Sequence, residues 1–242
     1  MRRRLPDGLR SAATAAFMAL TAATAQAQTA GLTIYPVTID LAPGQKAAAL
    51  TIQNHTDTDT TFQIRAFSWV QANGSEQLLP TDTLMVSPPL GTIAAGTSQV
   101  VRLVLREPAR DREATYRILF DEILAQPRPG TVNFALRLSI PVFALPPTRV
   151  SPHLQWSIEH SYLVAVNNGG SHETVRDISL STPAGRMLQL ERNASPYVLA
   201  GAIRRWQILT PNFSPGSATL RLKANADNGA INQPLILPNV QP

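Results

Sequence analysis

The chain has 242 residues, 20 of them proline and none cysteine, with 44% hydrophobic and only 15% charged residues. Such proportions fit a turn-rich β protein with packed cores of about 100 residues each, and the missing cysteine excludes disulfide staples, thiol catalysis and cysteine-ligated metal. The net charge of +5 includes Arg2, Arg3 and Arg4 at the extreme N-terminus, and no Lys/Arg cluster interleaved with aromatics is present to bind nucleic acid.

Residues 1–27 read as a signal peptide. Arg2–Arg4 and Arg10 form the basic region, "AATAAFMALTAATA" a mildly apolar one, and "AQA" places small residues before a cleavage point at Gln28. This run is too rich in Ala and Thr for a stable membrane span, and no other segment is apolar enough. Short strands separated by turn signals follow. They are "GLTIYPVTIDL" (31–41, broken by Pro36), "AAALTIQN" (47–54), "TFQIRAFSWVQ" (61–71), "QVVRLVLR" (99–106), "ATYRILFDEI" (114–123) and "VNFALRLSIPVF" (132–143). "LMVSPPLGTIAAGTSQ" is expected as a proline-rich crossing segment. "ALPPTRVSP" concentrates proline and marks a linker at 146–149 between domains at 28–145 and 150–242. The second half repeats the theme with "LQWSIEH", "YLVAVNN", "VRDISLST", "RRWQILTP" and "ATLRLKAN". The expected fold is all-β, two sandwiches in tandem after the signal peptide.

The last segment of the first half alternates almost strictly. Val132, Phe134, Leu136, Leu138, Ile140 and Val142 share one face, and Asn133, Ala135, Arg137, Ser139, Pro141 and Phe143 the other. Pro141 has no N–H to donate, so one neighbouring strand is missing there. No constellation elsewhere carries catalysis. His55, His153, His160 and His172 lack ligand spacing, Asp121 and Glu122 point to opposite strand faces, and neither a nucleophile elbow nor a phosphate loop occurs. No enzyme activity, metal or cofactor is expected.

"LTIYPVTIDLAPGQKAAALTIQN", "FQIRAFSWVQANG", "LLPTDTLMVSPP", "IAAGTSQVVRLVLR", "YRILFDEI" and "FALRLSIPVF" together resemble the periplasmic pilus-assembly chaperones, the PapD-like family. The "W-x-Q-x-x-G" and "S-I-P-V-F" segments are most similar to its archaic branch. The resemblance covers 31–147 well and the second half in general character. It implies two immunoglobulin-like domains and a last strand of domain one that is lent to a pilin subunit lacking its own final strand, with delivery to an outer-membrane usher. The donor residues would be Val132, Phe134, Leu136, Leu138 and Ile140. Self-association through the same strand is an open alternative for the free protein.

Members of the family hold the subunit's terminal carboxylate with an arginine and a lysine. Their positions here are Ile39 and Pro141, so both anchors are missing. If 114–123 and 132–143 form a hairpin in which facing residue numbers sum to about 258, Arg117 lies opposite Pro141 on the face of the lost lysine. Arg117 is the first candidate anchor, Arg102 and Arg137 weaker ones. Glu113 matches a family glutamate of an interdomain ion pair whose arginine is Leu145 here, with Arg149 as a substitute partner. The alternative function is an exported structural or adhesive sandwich, either pilin-like or carbohydrate-binding through Trp69, Trp156 or Trp206.

Overall fold

The computed structural model describes residues 31–72, 74–124, 134–192, 195–211 and 219–236. The predicted signal peptide and Val132 lie outside the described residues. All regular elements among the described residues are strands.

The first half contains β1 (Leu32–Tyr35), β2 (Ile39–Leu41), β3 (Ala47–Asn54), β4 (Thr60–Ala72), β5 (Ser75–Pro80), β6 (Leu84–Ser87), β7 (Leu90–Ile93), β8 (Ser98–Leu105), β9 (Ala114–Ile123) and β10 (Arg137–Ala144). One sheet has the order β1-β3-β8-β6 and the other β2-β10-β9-β4-β5, with β7 also pairing β4. Period-two side chains fill the space between them: Val101, Leu103 and Leu105 of β8 point inward against Ile64, Ile118 and Phe120 from the facing sheet. Pro36 divides the first predicted strand as expected. β1 stays with β3, and β2 crosses to lie parallel to β10.

Three strands depart from the sequence expectation. "SEQLLP" forms β5 although every residue in it is exposed, because its hydrogen bonds to β4 rather than apolar burial hold it. The proline-rich crossing segment contains β6 and β7, which straddle Pro88 and Pro89 and pair with different sheets.

The second half contains β11 (Leu154–Glu159), β12 (Tyr162–Asn167), β13 (Glu173–Ser181), β14 (Met187–Leu188), β15 (Tyr197–Val198), β16 (Ile203–Gln207), β17 (Thr219–Ala226) and β18 (Gly229–Ile236). They form sheets β11-β12-β16 and β14-β13-β17-β18 around a separate core that includes Leu163, Leu180, Leu222 and Trp206. Each half therefore builds an immunoglobulin-like sandwich of its own.

A third apolar cluster joins the halves. Trp69 and Phe143 from the first sandwich pack with Leu199, Ala202 and Tyr197 from the second. Trp69 is fully buried, its ring 5.5 Å from that of Tyr197 and 6.0 Å from that of Phe143. Gln71 adds a two-way amide link, donating to the Tyr197 carbonyl at 2.9 Å and accepting from the Leu199 N–H at 3.0 Å.

Trp69 and Trp206 are buried and Trp156 stacks on Trp206 at 5.5 Å, so these side chains form no exposed aromatic platform. Asn54 is also buried and donates to the carbonyls of Thr58 and Ile93. It closes a loop.

Candidate binding edge and cleft

β10 pairs antiparallel with β9 over its whole length, and Pro141 faces Arg117. On its other side β2 covers only Val142, Phe143 and Ala144. Backbone polarity follows from two bonds. The Leu136 carbonyl accepts from the Glu122 N–H, on the β9 side, and the Leu145 N–H donates to the Leu41 carbonyl, on the β2 side. Even-numbered residues of β10 thus face β9, and the odd-numbered Arg137, Ser139 and Pro141 present their backbone groups to the open edge. Pro141 costs the β9 ladder nothing, because its missing N–H lies on the unpaired side. It also marks where an added strand would run out of donors.

The apolar row changes character along this edge. Phe134 is 87% exposed. Leu136 and Leu138 are half-buried against the first core, and Ile140 and Val142 belong to it. One continuous stripe thus starts in solvent and ends inside the protein's own sandwich. Ile140, 2% exposed, is the point at which the stripe becomes the chain's own core.

The outer face of the same sheet carries charge. Arg65 donates to Asp121 at 2.8 Å, and Arg137, across from Asp121 on β10, bonds it as well. Burial alone would push the Asp121 carboxyl up, but the hydrogen bonds from Arg137 and Arg65 outweigh it and hold the group below the usual carboxylate range. A depressed folded value means that its contribution is full at neutral pH and is lost as pH falls through that value. The stability gap between the native protein and Asp121→Asn is therefore expected at pH 7 and should shrink below pH ~4, as followed by urea unfolding at both pH values.

Deeper on this face, Arg117 sits at the junction of the halves. Its guanidinium lies 3.7 Å from the Trp69 ring centroid and 5.7 Å from that of Tyr197. Its side chain is 11% exposed and 3.9 Å from Glu76 of β5. Burial lowers its pKa, and Glu76 works against that shift. Arg204 of β16 reaches the same carboxylate at 3.2 Å. The structure thus brings Arg117 beside Pro141 in the cleft and keeps Arg137 nearer the mouth of the edge. Arg102 lies on the outer face of β8, in the other sheet, opposite Ala49 and Ser87. It is remote from Pro141. Ile39 is buried in the core beside Val142.

Glu113 does join the halves, but to His172 and not to the exposed Arg149. Its carboxylate accepts from the His172 backbone N–H at 2.7 Å and contacts ring Nδ1 at 2.8 Å. The imidazole stacks on Phe143 with centroids 3.7 Å apart. A single histidine supplies backbone, ring and stacking contacts together, so no arginine is needed. His172 had no motif to announce it, since its partner is distant in sequence.

Residues 31–149 match the family described as "Pili and flagellar-assembly chaperone, PapD N-terminal domain". Over these residues the chain belongs to the PapD-like chaperone family. No curated protein matches the chain. Among solved structures, the CsuC–CsuE chaperone–tip adhesion subunit complex of the archaic Csu pili of Acinetobacter baumannii is similar at 23% identity and TM-score 0.64, covering 85% of this chain and 97% of that one. The Salmonella enterica SafA pilin–SafB chaperone complex matches at 16% identity and TM-score 0.58, over 86% of this chain and 96% of that one. The E. coli chaperone DraB matches at 19% identity and TM-score 0.55, again over 86% and 96%. These likenesses place the PapD-type domain in a two-sandwich fold shared along nearly the whole length of those chains.

Proposed function

We propose that this PapD-like chain is a periplasmic, non-enzymatic chaperone that caps incomplete pilin subunits with β10 and passes them to an outer-membrane usher. A subunit lacking its last strand exposes a core groove and a row of unpaired backbone groups, and both aggregate unless covered. The edge of β10 offers a remedy for each: backbone groups at Arg137 and Ser139 for the ladder, and Phe134, Leu136 and Leu138 for the groove. In the sequence Val132 has the same parity, and Ile140 ends the row. The 87% exposure of Phe134 beside an uncovered strand edge carries the proposal, because a large aromatic in water serves nothing within its own sandwich. The signal-type N-terminus and the family's compartment agree with an exported protein.

In this scheme the subunit's terminal carboxylate is held by Arg117 in place of the missing family pair. The incoming strand loses its donors at Pro141, whose register partner on β9 is Arg117, and its last residues would turn over the outer face of the sheet to reach the guanidinium above Trp69. A charge-assisted hydrogen bond of this kind contributes about 1.5–3 kcal/mol, or roughly 10- to 150-fold in affinity. Arg117→Ala should cut recovery of the co-expressed chaperone–subunit complex by at least tenfold, and Arg117→Lys should restore part of it. Undiminished recovery with Arg117→Ala would remove Arg117 from the site.

A further inference from the structure

Two guanidinium groups in the cleft share one carboxylate. Glu76 Oε1 lies 3.2 Å from Arg204 Nη1, and Oε2 lies 3.9 Å from Arg117 Nη2. Gln71 Nε2 also donates to Oε1 at 3.3 Å. The arginine side chains are 5% and 11% exposed and Glu76 29%, so two largely desolvated cations face one anion. The excess positive charge is costly to leave dry. The Nε of Arg204 is buried without a partner among the described residues, a further donor left over at the same place.

The carboxylate in question is on an exposed edge of the sheet. β5 is an edge strand, exposed along its whole length and paired only with β4. A bridge from Gly74 to Arg204 pins the root of the β4–β5 hairpin against β16. Beyond that root Glu76 stands on an exposed strand, where it is able to swing into solvent.

We propose that Glu76 is an internal stand-in for the subunit's terminal carboxylate, occupying the Arg117–Arg204 site in the free chain and yielding it when a subunit arrives. This rests on the reading that Arg117 is the anchor, and it adds Arg204 as the second cation. The exchange replaces one carboxylate by another, so the two arginines are never left together without an anion. A ligand with no free carboxylate has nothing with which to displace Glu76, and the cleft thereby discriminates chain ends from internal segments. The stand-in also weakens binding, since the incoming group must compete with one already in place.

The probe is a ten-residue peptide of alternating valine and threonine with a free C-terminal carboxylate, compared with its C-terminal amide by calorimetric titration. The native protein should prefer the acid to the amide by a few-fold. Glu76→Gln, which keeps the shape and removes the charge, should tighten the acid by about tenfold and leave the amide unchanged. Glu76→Ala covers the case in which the glutamine keeps the arginines engaged, and thermal melts confirm that each variant is folded. Arg204→Gln in the Glu76→Gln background should cancel the gain. If Arg117→Ala abolishes the acid preference but neither Glu76 variant tightens the acid, the stand-in is overturned and the anchor stands. If acid and amide are indistinguishable in every variant, the anchor itself falls, and the stand-in with it.

Discussion

Phe134→Asp is expected to abolish recovery of subunit complexes while changing the stability of the free chain by no more than about 0.5 kcal/mol. The side chain is 87% exposed and absent from the first core, so removing it leaves no cavity. In a subunit groove the same ring would bury nearly all of its surface, worth roughly 1.5–3 kcal/mol. An aspartate there adds the cost of an unpaired charge in an apolar slot. Together these exceed a hundredfold in affinity, or about 2.7 kcal/mol. Ile140→Ala provides the contrast. Two residues beyond Leu138 on the same stripe but 2% exposed, it should destabilise the free protein by about 2–5 kcal/mol. One strand would then show opposite phenotypes at its two ends, read by co-purification and by urea unfolding of the chaperone alone.

The second large effect is expected at Trp69. Trp69→Ala should cost about 3–5 kcal/mol and loosen the two sandwiches from one another. This residue touches Phe143 and Tyr197 and carries Arg117 on its face. Its loss removes the largest buried side chain of the junction and also the surface that orients the proposed anchor. Trp69→Phe should be far milder, because it keeps a ring and discards an indole N–H that is buried without a partner among the described residues. Small-angle scattering would show a wider distribution of shapes for the alanine variant than for the native chain. An unchanged profile together with an unchanged unfolding midpoint would show that Gln71 and Glu113 hold the halves without Trp69.

Much of this was legible in residue patterns, for identifiable reasons. The alternation in 132–143 and in 114–123 has the same period, so one turn between them sets the register that places Pro141 against Arg117. Pro141 also announced an open edge, and the edge is where a missing N–H does no harm. The change of role along the apolar stripe was not legible. Phe134, Leu138 and Ile140 are the same kind of residue, and their exposure differs because the first core reaches only the far end of β10: Ile140 belongs to it, Leu138 packs on its margin and Phe134 stands clear of it. The junction was hidden for a related reason: Trp69 and Phe143 occupy outward-facing positions, which in a lone sandwich would be solvent. Two large aromatics on an outer face were the available signal that something covers it. Glu76, Gln71 and Arg204 carry no pattern at all, since their meaning arises only when the two halves meet.

The most direct test of strand donation is amide hydrogen exchange of Arg137 and Ser139 in the free chaperone and in its complex with a co-expressed subunit. Their N–H groups face the open edge, whereas those of Leu138 and Ile140 face β9. Fast exchange at 137 and 139 in the free protein, slowing by at least tenfold in the complex while 138 and 140 stay protected throughout, is the predicted result. Equal exchange at 137 and 139 with and without subunit would contradict donation of β10.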